Sequence, residues 1–152
     1  MTDMNKHDVR ILNGLIKTTI DSVDGYRAAA EAKDVGRFVA MFFDRANERE
    51  AVAGRLQAAV TAMGGDAEDD GSFLASAHRS FMGLKESVTG NDEQAVINEV
   101  ERGEDVLKAK YESALSDQDL SPATRSLIAD CYTSVKQGHD QMRDIKHSLD
   151  AQ

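Results

Sequence analysis

Four long stretches of this chain repeat apolar residues in alternating steps of three and four, and that spacing confines it to helices packed side by side. In the first stretch, Leu12, Leu15, Ile16, Thr19, Val23, Tyr26 and Ala30 share one helical face. The second carries Val35, Val39, Phe42, Ala46, Arg49, Ala53, Leu56, Val60 and Met63. The third carries Val96, Val100, Gly103, Leu107, Tyr111 and Ala114, and the last Ile128, Cys131, Val135, Gly138, Met142, Ile145 and Leu149. One proline, no tryptophan and few aromatic residues leave little material for strands. An all-α class follows.

The breaks between the stripes set the order of the elements. Asn5 is a good N-cap for the first helix, which the pattern carries to about residue 33, and a tight turn joins it to a second helix over 34–63 as an antiparallel hairpin. Gly64-Gly65 stops that helix, because glycine enters the left-handed C-cap conformation without steric cost. The acidic loop Asp66 to Gly71 follows, and its spacing lacks the alternating ligands and closing glutamate of a calcium loop. Ser72 caps a shorter connecting helix over 72–88. Asn91 and Gln94 resemble a capping box for a helix over 92–115, and Ser121-Pro122 opens the last one, over 122–150. A hairpin, a long crossover with its own helix and a second hairpin make a ferritin-like four-helix bundle in a single domain spanning residues 1–152. That length buries a core without disulfide or metal staples.

Charge and cysteine usage exclude several functions. The chain has 18 Lys and Arg against 27 Asp and Glu, a net charge of −9 that repels phosphate backbones and anionic lipid. No nucleic-acid partner is expected. No apolar run approaches the ~20 residues that span a bilayer, and the polar N-terminus lacks a secretory signal, so a cytoplasmic protein without membrane contact is expected. Cys131 is the single cysteine, which excludes an internal disulfide and any multi-cysteine metal site. Bundles commonly self-associate, so a homo-oligomer is an expected assembly, while the sequence names no protein partner.

Several separated motifs occur in one order: Gly64-Gly65 with Asp70-Gly71-Ser72, His78-Arg79, Thr89-Gly90-Asn91-Asp92, Glu101-Arg102-Gly103-Glu104-Asp105, and His139. From about Leu12 to Asp144 the chain resembles an uncharacterised bacterial family of ferritin-like four-helix bundles, a domain of unknown function. The resemblance implies the fold and assigns no activity.

Ferritin-like di-metal proteins place one Glu on each of two helices and Glu-x-x-His on each of the other two. Carboxylate oxygens bridge and neutralise the two ions, and the residue three positions on shares the helix face and adds an imidazole nitrogen. Here the pattern is broken. Asp24 is the candidate on the first helix, at the edge of the apolar face. On the second, Glu48 and Glu50 are followed three residues later by Ala51 and Ala53, while Arg49 falls on the seam itself. A permanently charged guanidinium at that depth needs a carboxylate partner. Glu104 points inward on the third helix with Glu101 beside it, and His139 on the last is preceded three positions earlier by Lys136.

The preferred reading is a central polar network of Asp24, Arg49, Glu104 and His139 that fixes helix register in place of two metals. The function that goes with it is non-enzymatic, an interaction or stress-associated protein with no catalytic residue and no cofactor. The alternative is a reduced metal site for iron, manganese or zinc on Asp24, Glu101, Glu104 and His139. A third reading is a small ligand in space left by Gly103 and Gly138. His78 is a candidate residue under the crossover, more readily explained as half-buried packing. His7 and His147 are expected to face solvent.

Overall fold

A computed structural model describes residues 3–32, 35–71 and 92–151 of the chain. Four α-helices carry them: α1 (Asp3–Ala30), α2 (Val39–Ala62), α3 (Asp92–Leu115) and α4 (Pro122–Asp150), with a short 3-10 helix, Gly36–Phe38, leading into α2. The described residues form no strand. The expected connecting helix over 72–88, with His78, lies outside the described residues.

Cross-helix contacts give the direction of each helix. On α1 and α3, Tyr26 meets Glu104 and Thr19 meets Tyr111, and His7 meets Asp117 just past the end of α3, so residue numbers rise on one as they fall on the other. Arg37 pairs with Glu93 and Arg49 with Glu104, so α2 and α3 run parallel. Arg45 reaches Gln141 and Arg55 reaches Asp130, so α4 is antiparallel to α2. The result is two antiparallel hairpins, α1–α2 and α3–α4, joined so that the middle two helices point the same way. A parallel pair needs a connection that returns along the full length of the bundle, about 36 Å for a helix of 24 residues. Its first part lies on α1: Asn13 donates to the Asp66 carbonyl and accepts from the Glu68 amide, and Gly71 abuts Asp21 two turns further along. A Cβ at Gly71 would lie 2.2 Å from an Asp21 carboxylate oxygen, which explains the glycine.

The end of α2 is a closed Schellman cap. Gly64 has φ of +82°, the Gly65 amide donates to the Val60 carbonyl and the Gly64 amide to that of Thr61. At the start of α4, Ser121 accepts from the Thr124 amide and Pro122 takes the first turn. Asp8 of α1 completes this cap, accepting hydrogen bonds from the hydroxyls of Ser121 at 2.5 Å and Thr124 at 2.8 Å and from the Ser121 amide. Its carboxylate is fully buried there, at the positive end of the α4 dipole.

The α1 stripe is buried as its spacing predicts. On α3 one seam position differs: Gly103 is exposed, while Glu104, expected inward, is buried one turn after Val100 and three residues before Leu107. Helix α1 ends at Ala30, and α2 proper begins at Val39 after the 3-10 turn, so the hairpin connection is longer than the tight turn expected.

Candidate functional site

The apolar core has two halves. Leu12, Leu15, Ile16, Leu56, Leu107, Tyr111 and Ile128 belong to one, and Val23, Tyr26, Phe42, Ala46, Val96, Ile97 and Met142 to the other. Arg49 and Glu104 lie at the level between them, 0% and 1% exposed. The guanidinium makes a two-pronged pair with the carboxylate, Nη1 to Oε1 at 2.7 Å and Nη2 to Oε2 at 2.8 Å. Such fork-on-fork geometry is the strongest form of this contact and repays part of the cost of burying both charges.

The remaining valences are nearly filled. Nη1 of Arg49 also donates to Ser22 Oγ at 2.8 Å, and Nη2 makes a longer contact of 3.4 Å to the Val135 carbonyl. Tyr26 donates its hydroxyl to Glu104 Oε1 at 2.9 Å, while its ring lies 5.8 Å from the guanidinium carbon. Nε of Arg49 is buried without a hydrogen-bond partner. Burial opposes the charge on Arg49, but Glu104 overrides it and holds the guanidinium above its ordinary value. Burial, reinforced by the Glu104 carboxylate, pushes the Tyr26 phenol well up, so it remains a donor. Below this layer the Thr19 hydroxyl donates to the Leu15 carbonyl and accepts from Tyr111 at 2.8 Å.

Gly138 of α4 is part of the same arrangement. A Cβ there would lie 2.3 Å from Nη2 of Arg49. The space that this glycine leaves is occupied by the guanidinium, and Gly103 faces outward, so the two do not open a ligand cavity between facing seams.

Of the four residues expected to meet, the structure brings together Arg49 and Glu104. Ser22 and Tyr26 complete the group. Asp24 is not in it: one position past Val23 is about 100° around the helix, and Asp24 stands half-buried on the side of Asp21 and Asp70. Burial and these two acids raise its carboxyl, against the pull of Arg27. His139 is also displaced by one position, from Gly138 on the seam. It faces the α3–α4 boundary, where Nε2 lies 2.7 Å from Asp105 Oδ1 and Nδ1 lies 3.1 Å from Asp140 Oδ1. The set Asp24, Glu101, Glu104 and His139 is therefore not one metal site, because Glu104 is committed to Arg49 and Asp24 lies elsewhere. Glu101, Asp105 and His139 do converge, with ligand atoms within 4.8 Å of one another.

Besides Ser22 and Tyr26, the sequence reading of the sites left out Asp105 and Asp8, and for these two the sequence holds a signal. Asp105 pairs with His139 because the α3–α4 hairpin sets a register that also joins Glu112 to Tyr132 and Gln94 to Asp150. Asp8 sits one turn before Leu12, on the stripe extended backwards. His7 is half-buried and bonded to Asp117 at 2.9 Å rather than turned to solvent, while His147 is exposed.

The described helices include none long and apolar enough to cross a membrane. Compared with known proteins, residues 8–117 match the family described as a domain of unknown function, DUF2383. No curated protein matches the chain. The family match includes Arg49 and Glu104 and stops before α4.

Proposed function

The chain belongs to the DUF2383 family, and we propose that it is a non-enzymatic bacterial protein of ferritin-like topology, in which an ion pair has replaced the two central metals and the outer helix faces serve interaction. The order of hairpin, crossover and hairpin supports the ferritin-like reading. The observation that carries the functional one is the pairing of Arg49 with Glu104. Glu104 is the inward acid of α3, and both of its oxygens are engaged by a fixed cation. Two added divalent ions would have to share this space with a guanidinium, and the repulsion would be felt at low effective dielectric.

An interaction role in the cytoplasm suits such a molecule, with homo-oligomers among its assemblies. Cys131 is buried and its thiol is raised by desolvation, as for a structural cysteine. The test is elemental analysis of protein purified without chelators and then loaded with iron or manganese. No central di-metal site is expected. Two ions per chain, lost on Glu104→Ala, would overturn the proposal.

A further inference from the structure

At the α3–α4 boundary, outside the central pair, three donor side chains from two helices face one another. Glu101 and Asp105 are one turn apart on α3, and His139 comes from α4. Imidazole Nε2 and Asp105 Oδ1 are separated by 2.7 Å. Metal-to-ligand distances of about 2.0–2.2 Å put neighbouring ligand atoms about 2.8–3.1 Å apart in an octahedral site and about 3.3–3.6 Å apart in a tetrahedral one, so a small outward rotation of the exposed Asp105 side chain would open this pair to an ion. The imidazole is held from behind: Nδ1 lies 3.1 Å from Asp140 Oδ1. A carboxylate in that position fixes ring orientation and tautomer, as behind many metal-bound histidines.

With a carboxylate at each ring nitrogen, either nitrogen can carry the proton: Nε2–H can donate to Asp105, or Nδ1–H to Asp140. In the second tautomer Nε2 presents its lone pair beside the Asp105 carboxylate, and a metal ion would select that form by taking the place of the Nε2 proton. Glu101 favours the metal, because it adds a third oxygen or nitrogen donor where a proton needs only one acceptor. Its side chain is 12% exposed, and the cation that pairs with it among the described residues is Lys146, at a loose 3.6 Å. Lys136 and Arg143 both engage Asp140, at 2.7 and 3.6 Å, on the far side of the ring from Asp105.

We propose that Glu101, Asp105 and His139 bind one divalent transition-metal ion, such as zinc, at the α3–α4 boundary. One nitrogen and two oxygens suit ions of intermediate softness, and the exposed side leaves room for water as a further ligand. This ion is separate from the central pair and independent of Glu104.

The test is calorimetric titration of the tag-free full chain with zinc chloride after chelator treatment and dialysis, with the visible absorption of added cobalt as a second readout. The expected result is one saturable equivalent. Its affinity should fall at least about tenfold in Asp105→Ala and in His139→Gln, and be unchanged in His7→Ala, which removes a second His-carboxylate cluster among the described residues, at Asp117 and Asp119. Asp105 is 56% exposed on its side chain, so its variant leaves the core intact, and circular dichroism checks the His139 variant. Absence of saturable binding, binding unchanged in Asp105→Ala, or binding lost in His7→Ala alone would overturn the proposal. Two ions lost with Glu104 would instead count against the ion-pair reading of the centre.

Discussion

Arg49 and Glu104 satisfy each other so closely that removing one is worse than removing both. In Arg49→Met the Glu104 carboxylate stays buried with the Tyr26 hydroxyl as its remaining partner, and the expected loss is about 3–5 kcal/mol of unfolding free energy. The double variant Arg49→Met/Glu104→Met should recover most of it, as urea titration of the three proteins would measure. Asp24 calls for the opposite intervention. Its carboxyl is raised above the ordinary value of 3.8 by burial, Asp21 and Asp70. A raised acid contributes stability below its unfolded value and loses it as pH rises through the folded one. Asp24→Asn should therefore stabilise the protein at neutral pH, by a few tenths of a kcal/mol for so exposed a group, with the gain in melting temperature vanishing as pH falls below 4. The seam position of Arg49 was legible because a charge interrupting an apolar stripe is conspicuous. The company it keeps was less so: stripe arithmetic separates inside from outside, but Ser22 and Asp24 flank Val23 at one residue, about 100°, to either side, and only the Ser22 side reaches the guanidinium; a step of one residue likewise puts Gly138 at the centre and His139 at the α3–α4 boundary.

At the scale of the element, the ends of helices tie the bundle together. Asp8 is an internal residue of α1 and a capping group of α4, so one side chain closes the N-terminus of a helix more than a hundred residues away. Asp8→Ala should cost about 1–2 kcal/mol, measured by thermal or urea unfolding, with exchange protection lost first in the amides of Ser121 to Arg125. Local signals of this kind were the most legible part of the fold. Ser121-Pro122 and Gly64-Gly65 mark the ends that the structure shows, because a cap depends on a few adjacent residues. The start of α2 was read less well, since the 3-10 turn at Gly36–Phe38 keeps apolar residues in a helix-like spacing and hides the break before Val39.

For the whole molecule, the parallel course of α2 and α3 dictates the long return connection, and the polar layer between the two halves of the core dictates how the hairpins meet. Hydrophobic spacing conveyed the number of helices and their faces. It placed Glu104 inward, as the structure has it, but put Gly103 on the seam as well, because steps of three and four both keep a helical seam, and which of the two is buried rests on what lies across from it. That layer also bears on the order of events in folding. Each hairpin is built from nearby sequence, whereas Arg49 and Glu104 come from different hairpins, 55 residues apart. Their contact closes only once the hairpins have docked, so it belongs to the late side of the folding barrier. In stopped-flow experiments Arg49→Met should leave the refolding rate nearly unchanged and accelerate unfolding. The central pair would then act as a latch on the finished bundle, setting how long a molecule stays folded more than how fast it gets there.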